Sequence, residues 1–187
     1  MVEDHFDASP ELEQKLEASG KTEVLEPVRA ISKLANITYV RQPAPLGLGH
    51  AVNCAKSFVG KDPFAVLYGD DVIMGDYPCC KQLVDQYEKY GLGCVCMKEV
   101  PFEQVTRYSS LKVDHLENNV YKVTDMVEKP ATPELAFSNF SILGRCVLPG
   151  EIFDILADLP RGAGGEYQLT DAMKILATTK GMIGVDF

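Results

Sequence analysis

The sequence is short of positive charge: eighteen Lys and Arg stand against twenty-seven Asp and Glu, a formal net charge of -9 at pH 7. An overall field of that sign repels nucleic acid and anionic membrane surfaces, so neither is an expected partner. No run of about 20 apolar residues is present to span a bilayer, and no secretory signal opens the chain, so a soluble, cytoplasmic protein is expected. The six cysteines, Cys54, Cys79, Cys80, Cys94, Cys96 and Cys146, contain no pair at zinc-finger spacing and no regular framework of a stapled secreted domain, which fits a reducing compartment. Repeats and low-complexity stretches are also absent.

What is present is ordinary for a globular chain: 46% hydrophobic and 24% charged residues over 187 positions, enough for one sizeable core and one expected domain, 1–187. If the ligand of so acidic a chain is a phosphate, its charge must be met locally, by placed Lys or Arg, backbone N–H groups or a divalent cation.

Ser9-Pro10-Glu11 reads as a helix start running to about Ala18, and Thr22 begins a second helix with Val24, Leu25, Val28, Ile31 and Leu34 at near-helical spacing and Pro27 as a kink or early stop. Ile37 to Arg41 reads as a strand. A Pro/Gly-rich loop from Gln42 to Gly49 leads into a helix from about His50, and Phe64 to Tyr68 reads as a strand buried on both faces. Pro78 to Tyr90 is amphipathic and helical. Gly93 to Glu99 is a strand on which Cys94 and Cys96 share a face. Leu111 to Val113 and Val120 to Val127 flank an Asn118-Asn119 turn, and Phe140 to Val147 adds a strand. Helices from Glu151 and from Leu169 follow, then a last strand from Met182 to Phe187. Strand-helix alternation in the first half and a strand-rich middle give an α/β class with a mixed, mainly parallel sheet.

Four segments carry chemistry. Asp70 and Asp71 follow a strand directly, where α/β folds place ligands, and paired carboxylates there either hold Mg2+ or cap a turn. Leu46-Gly47-Leu48-Gly49-His50-Ala51 opens a helix with bare backbone, either a base or phosphate cradle or a plain glycine turn. His50 belongs to the helix start, since no nucleophile lies beside it. Glu128-Lys129-Pro130 closes a strand with a carboxylate for sugar hydroxyls and an ammonium for a phosphate oxygen, or with a solvated ion pair. In the loop Gly162 to Asp171, Glu166 either faces a ligand or is a solvated acid at a helix entrance.

Taken in order, these segments resemble the bacterial UTP:glucose-1-phosphate uridylyltransferase family. The resemblance rests on Val2-Glu3-Asp4-His5-Phe6-Asp7, Arg41-Gln42, Pro45 to Ala51, Phe64 to Asp71, Val120 to Val123 through Glu128-Lys129-Pro130, Ser138-Asn139, Gly144-Arg145 and Gly165 to Ala172. It implies a Rossmann-like nucleotidyltransferase that makes UDP-glucose and pyrophosphate from UTP and glucose 1-phosphate, with Mg2+ as cofactor and self-association into a homo-oligomer at full length. It also implies roles: Gln42 and Gly47 on the uracil, Asp70 on the metal, Glu128 on glucose hydroxyls, Lys129 on the sugar phosphate, and Asn139 and Glu166 on the sugar side. Family members begin with a strand and a glycine-rich Arg/Lys loop and end with a further metal-binding Asp, neither of which this sequence contains. A chain cut short at both ends, with the sheet incomplete at its first strand, is therefore expected. Tyr108-Ser109-Ser110 departs from the family glycine after the tyrosine, so Ser109 is expected to crowd the sugar or strain the backbone. A sugar-nucleotide-binding chain without turnover, and transfer with another sugar 1-phosphate or dTTP, stay open beside the enzyme reading.

Overall fold

The computed structural model describes residues 2–187. The chain divides into two compact units, Met1–Arg41 and Gln42–Phe187.

The first unit is helical: α1 (Val2–Phe6), α2 (Pro10–Ala18) and α3 (Thr22–Ile31). Proline in the first turn of α2 loses no intrahelical bond, and α3 carries Pro27 in its interior without ending there. Glu13 and Glu17, one turn apart on α2, both pair with Arg29 of α3, at 3.1 and 3.4 Å. The apolar spacing that runs on to Leu34 passes the end of the helix, and Leu34 is 70% exposed. Ile37 to Arg41, read from sequence as a strand, joins no β-ladder. A short run of strand-forming residues does not make a strand when no neighbouring backbone runs alongside it.

The second unit holds α4 (Leu48–Cys54), α5 (Lys56–Val59), β1 (Phe64–Leu67), α6 (Cys79–Tyr90), β2 (Cys94–Glu99), β3 (Ser109–Glu117), β4 (Val120–Glu128), β5 (Phe140–Leu148), α7 (Ile152–Ala157), α8 (Leu169–Thr179) and β6 (Met182–Asp186). Its six strands lie in the order β1-β5-β2-β6-β4-β3. The α/β class with a mixed sheet stands, but the sheet is mostly antiparallel: β2 and β6 form the single parallel pair among the described residues. The reason is an insertion. β1, α6 and β2 form the strand-helix-strand unit that suggests a parallel pair, yet β5 comes between the two strands and pairs antiparallel with both. At the far side β3 and β4 form a hairpin, its turn made by Asn118 in a left-handed conformation (φ 47°).

Strand periodicity sorts the core onto the two faces of the sheet. Cys94 and Cys96 of β2, Ile183 and Val185 of β6 and Val147 of β5 pack with Leu83 of α6. The alternate residues Val95, Met97, Met182, Cys146 and Leu148 pack with α4, α7 and α8 through Val52, Ile152, Phe153, Leu156, Met173 and Leu176. Helices on both faces explain why β2 is apolar from Cys94 to Met97 and β6 from Met182 to Val185. β1 departs from that pattern: only Phe64 and Val66 turn inward, Phe64 stacking on Phe153 with ring centroids 4.9 Å apart, while Leu67 is 55% exposed. An edge strand with one partner and an interior strand share the same apolar run, so the both-faces reading of Phe64 to Tyr68 is corrected here.

The expected common face for Cys94 and Cys96 is found, and Cys79, at the start of α6, joins it. The sulfurs of Cys79 and Cys96 meet there with Cα atoms 7.4 Å apart, beyond the roughly 4.4–6.8 Å that a disulfide ordinarily spans, so the pair packs as two core sulfurs. Burial pushes the Cys94 and Cys146 thiols up to about 12, which keeps them protonated and unreactive at neutral pH. Among the described residues no helix is long and apolar enough to cross a membrane.

Candidate functional site

The glycine-rich loop before α4 is closed by its own side chains and by a distant segment. Gln42 Nε2 donates to the Gly47 carbonyl at 3.2 Å and lies 3.0 Å from His50 Nδ1. Across the loop, Tyr167 N–H donates to the Leu46 carbonyl and Gly49 N–H to the Tyr167 carbonyl, both at 2.8 Å. Gly47 sits inside this exchange with φ 105°, and a Cβ there would lie 2.8 Å from both Glu166 Cβ and the Tyr167 carbonyl oxygen. Conformation and space both demand glycine at this point. Gln42, Gly47, His50 and Glu166, read separately in the sequence, are thus one structural unit.

Gly162 to Tyr167 is tied down as well. Gly162 N–H donates to the Glu166 carbonyl at 2.8 Å, Arg161 Nη1 to the Gly165 carbonyl at 2.9 Å, and the buried Gln168 amide to Ala163 O at 3.0 Å and Glu166 Oε2 at 3.2 Å. Asp171, in the first turn of α8, is held above the usual carboxylate range by burial, which the nearby Lys174 opposes.

β4 ends at the centre of the second group. Glu128 is 15% exposed at its side chain; its Oε2 accepts from Thr170 Oγ1 of α8 at 2.8 Å, and its Oε1 lies 3.9 Å from Lys129 Nζ. Lys129 takes a left-handed backbone (φ 45°) just before Pro130, a combination that costs on the order of 1–3 kcal/mol and persists only where the surroundings impose it. Its N–H donates to the Tyr108 carbonyl at 2.9 Å, which turns the chain off the sheet.

Ser109 lies directly opposite Glu128 in the β3-β4 ladder. The expected backbone strain is not found: Ser109 starts β3 outside the left-handed region, where only Asn118 and Lys129 sit among the described non-glycine residues. Its side chain instead accepts from Ile142 N–H at 3.0 Å, and its carbonyl accepts from Ser141 Oγ at 2.6 Å. Ser110 and Ser138 extend the stitching: Ser110 Oγ donates to Ser138 O at 2.7 Å and Ser138 Oγ to Leu111 O at 2.6 Å. Serine side chains thus join the start of β3 to β5, two strands that share no ladder.

These pieces enclose a cavity of about 140 Å3 lined by Leu48, Tyr68, Arg107, Tyr108, Ser109, Glu128, Ile142, Gln168, Leu169 and Thr170. Two of the sequence candidates, Ser109 and Glu128, line it directly. Gly47, Lys129 and Asp70 are each one or two residues from a lining position. Glu166 is bonded to Gln168. Asn139 is not brought in; it precedes β5, and its carbonyl accepts from Val100 N–H at 2.9 Å. Asp70 and Asp71 follow Tyr68 in an exposed turn closed by Asp71 N–H on the Tyr68 carbonyl at 3.2 Å. Burial, with Cys146, Glu128 and Asp71 nearby, pushes the Tyr68 hydroxyl well above its usual range, so it stays an O–H donor at neutral pH.

Tyr68, Gln168 and Thr170 line the cavity but were not among the sequence candidates. Tyr68 lies two residues from Asp70 and Gln168 two from Glu166, while Thr170 falls within the Gly162 to Asp171 segment; that nearness was the available signal.

A strand-end carboxylate turn, a glycine loop at a helix N-terminus and a carboxylate-ammonium pair around one cleft on an α/β sheet are the furniture of nucleotide and phosphosugar handling. The chain belongs to the nucleotidyl transferase family, whose model matches residues 7–183. Among curated proteins it is 49% identical over 173 residues to the UTP–glucose-1-phosphate uridylyltransferase YngB of Bacillus subtilis (strain 168), covering 92% of this chain and 58% of that protein. It is 48% identical over 186 residues to a second UTP–glucose-1-phosphate uridylyltransferase of the same organism, covering 100% of this chain and 63% of the relative. Its fold matches a crystal structure of UDP-glucose pyrophosphorylase complexed with UDP-glucose at a TM-score of 0.87 and 37% identity, over 100% of this chain and 68% of that one. The chain thus spans about three fifths of the length of these curated relatives.

Gly47→Ala is expected to lower stability by about 1–3 kcal/mol, since the new methyl needs a disfavoured φ and meets Glu166 and Tyr167. Thermal unfolding measures it; an unchanged Tm contradicts the packing described.

Proposed function

We propose that this chain is one nucleotidyltransferase domain that binds UTP and glucose 1-phosphate and forms UDP-glucose and pyrophosphate. The observation that carries the reading is the convergence of Glu128, Ser109, Tyr68 and Thr170 on one cavity that Leu48, next to Gly47, also lines. The relatives named for this reaction support it, although the chain spans 58% and 63% of their lengths.

In this reading Glu128 reads glucose hydroxyls through Oε1, because Thr170 already occupies Oε2. The Lys129 ammonium neutralises the sugar phosphate, and Tyr68 offers a protonated hydroxyl to the same ligand. The Gln42 amide and the Gly47 backbone take the uracil, with Glu166 at the rim. Held this way, an oxygen of the sugar phosphate forms a bond to the α-phosphorus of UTP as the bond from that phosphorus to the bridging oxygen of the β-phosphate breaks, and pyrophosphate leaves. No covalent intermediate on the protein is required, so positioning and charge neutralisation dominate.

The donor set at the Asp70-Asp71 turn fits Mg2+, which is usually held by one or two carboxylates with substrate phosphates and water completing its shell. Among the described residues no group of three or more His, Cys, Asp or Glu is placed to hold a metal ion by itself, so substrate phosphates and water would have to complete the shell. Asp70 would hold the ion, which when bound would offset the phosphate charge that a chain of net charge -9 otherwise repels. A cytoplasmic location fits these substrates, and the family resemblance supports a homo-oligomer at full length.

Pyrophosphate release from UTP and glucose 1-phosphate tests the reading directly. UDP-glucose binding without release would mark a binding chain, and faster release with dTTP or another sugar 1-phosphate would redirect the substrate assignment. Asp70→Asn is expected to cut release about 100-fold or more with little change in Tm; comparable turnover in Mg2+ removes the metal role.

Ser109→Gly is expected to tighten glucose 1-phosphate binding by about tenfold, because it clears the wall opposite Glu128. The same change strips Ile142 N–H of its acceptor and costs about 1–3 kcal/mol of stability. Calorimetric titration showing unchanged sugar affinity contradicts the crowding.

A further inference from the structure

The turn that carries Asp70 is fixed from β5. Tyr68 N–H donates to the Gly144 carbonyl at 2.9 Å, continuing the β1-β5 ladder past its last paired residues, Leu67 and Arg145. At the other end of the turn, Arg145 Nη2 donates to the Asp71 carbonyl at 3.1 Å. Between these two bonds Gly144, at φ 71°, lets Asp71 come so close that a Cβ on residue 144 would lie 2.7 Å from Asp71 Cβ and 2.8 Å from Asp71 Oδ2. Adjacent residues of one strand therefore grip the first and last residues of the Tyr68–Asp71 turn. Beyond it the chain from Val72 to Pro78 has no regular structure, with Val72 82% and Met74 90% exposed, so without the grip the turn has little to hold it.

Arg145 is a poor choice for packing alone. Its Nη1 is buried without a hydrogen-bond partner in the structure, a cost that an apolar side chain of similar length avoids. A rigid fork whose one arm fixes a backbone carbonyl makes sense where the position of a neighbouring carboxylate matters more than stability.

We propose that Arg145 is a positioning residue that holds the Asp70-Asp71 turn in the arrangement that binds a divalent cation together with the sugar nucleotide. The proposal rests on the Asp70 metal reading above and adds to it the residue that sets the carboxylate in place.

The test is calorimetric titration of UDP-glucose into the chain with Mg2+ and with EDTA, for the wild type, Arg145→Met, Arg145→Lys and Asp70→Asn, with circular dichroism to check folding. Arg145→Met is expected to lose about tenfold of the Mg2+-dependent gain in affinity while keeping the wild-type affinity in EDTA. Arg145→Lys is expected to recover part of the gain, because an ammonium can donate to the same carbonyl without the rigid fork. If Arg145→Met does not fold, Arg145→Lys decides: an intermediate gain supports the proposal and a wild-type gain overturns it. A full Mg2+ gain in Arg145→Met, or an equal loss in Mg2+ and EDTA, also overturns it. Asp70→Asn separates the two ideas: if it abolishes the gain while Arg145→Met keeps it, only the Arg145 role falls. If Asp70→Asn keeps the gain, or the wild type shows none, the metal reading falls and the proposal with it.

Discussion

The hydrogen bond from Thr170 Oγ1 to Glu128 Oε2, 2.8 Å long, joins the end of β4 to the first turn of α8, and the arrangement of the cleft depends on it. It orients one carboxylate oxygen and leaves the other facing Lys129. The same strand end is gripped from a second direction by the Lys129 N–H on the Tyr108 carbonyl, which stabilises a left-handed backbone that lysine before proline does not adopt unaided. Strain of this kind survives because the ladder to Ser109, the bond to α8 and the chain leaving through Pro130 over-determine it. Rigid supports on three sides are what a site working by positioning and charge requires.

The serine stitching between β3 and β5 serves the same end. A backbone ladder would fix those strands by regular pairing, but Ser109, Ser110, Ser138 and Ser141 do it with side-chain hydroxyls and neighbouring carbonyls. Buried hydroxyls are tolerable only when bonded, and these are. Ser109 therefore carries two duties, as the acceptor for Ile142 N–H and as part of the cavity wall.

Much of this was legible in the residues. Helix α2, the hairpin turn at Asn118-Asn119 and the shared face of Cys94 and Cys96 follow from local rules of capping, turn chemistry and strand periodicity. Glu128-Lys129-Pro130 announced a strand end, and Gly47 and Gly49 a glycine turn opening a helix, while the packing of Tyr167 and Glu166 against Gly47 came only from the structure. What failed depends on distant partners. Nothing in the succession of β1, α6 and β2 says that β5 will enter between the two strands and make the sheet mostly antiparallel. The apolar run at Phe64 reads the same on an edge as in an interior, and the strand-forming residues Ile37 to Arg41 have no ladder to join. Thr170 gains its meaning from Glu128, 42 residues away, Arg145 from Asp71, 74 residues away, and Tyr68 from the distant Cys146 and Glu128, and such pairings are not written in spacing.

The central claim is that the end of β4 faces a sugar nucleotide, and a crystal structure of the chain with UDP-glucose and Mg2+ tests it most directly. The expected result is a glucose hydroxyl in hydrogen-bond contact with Glu128 Oε1 and the uracil against the backbone of Gly47. A ligand bound elsewhere, or one seated in the cleft without touching Glu128, would contradict it.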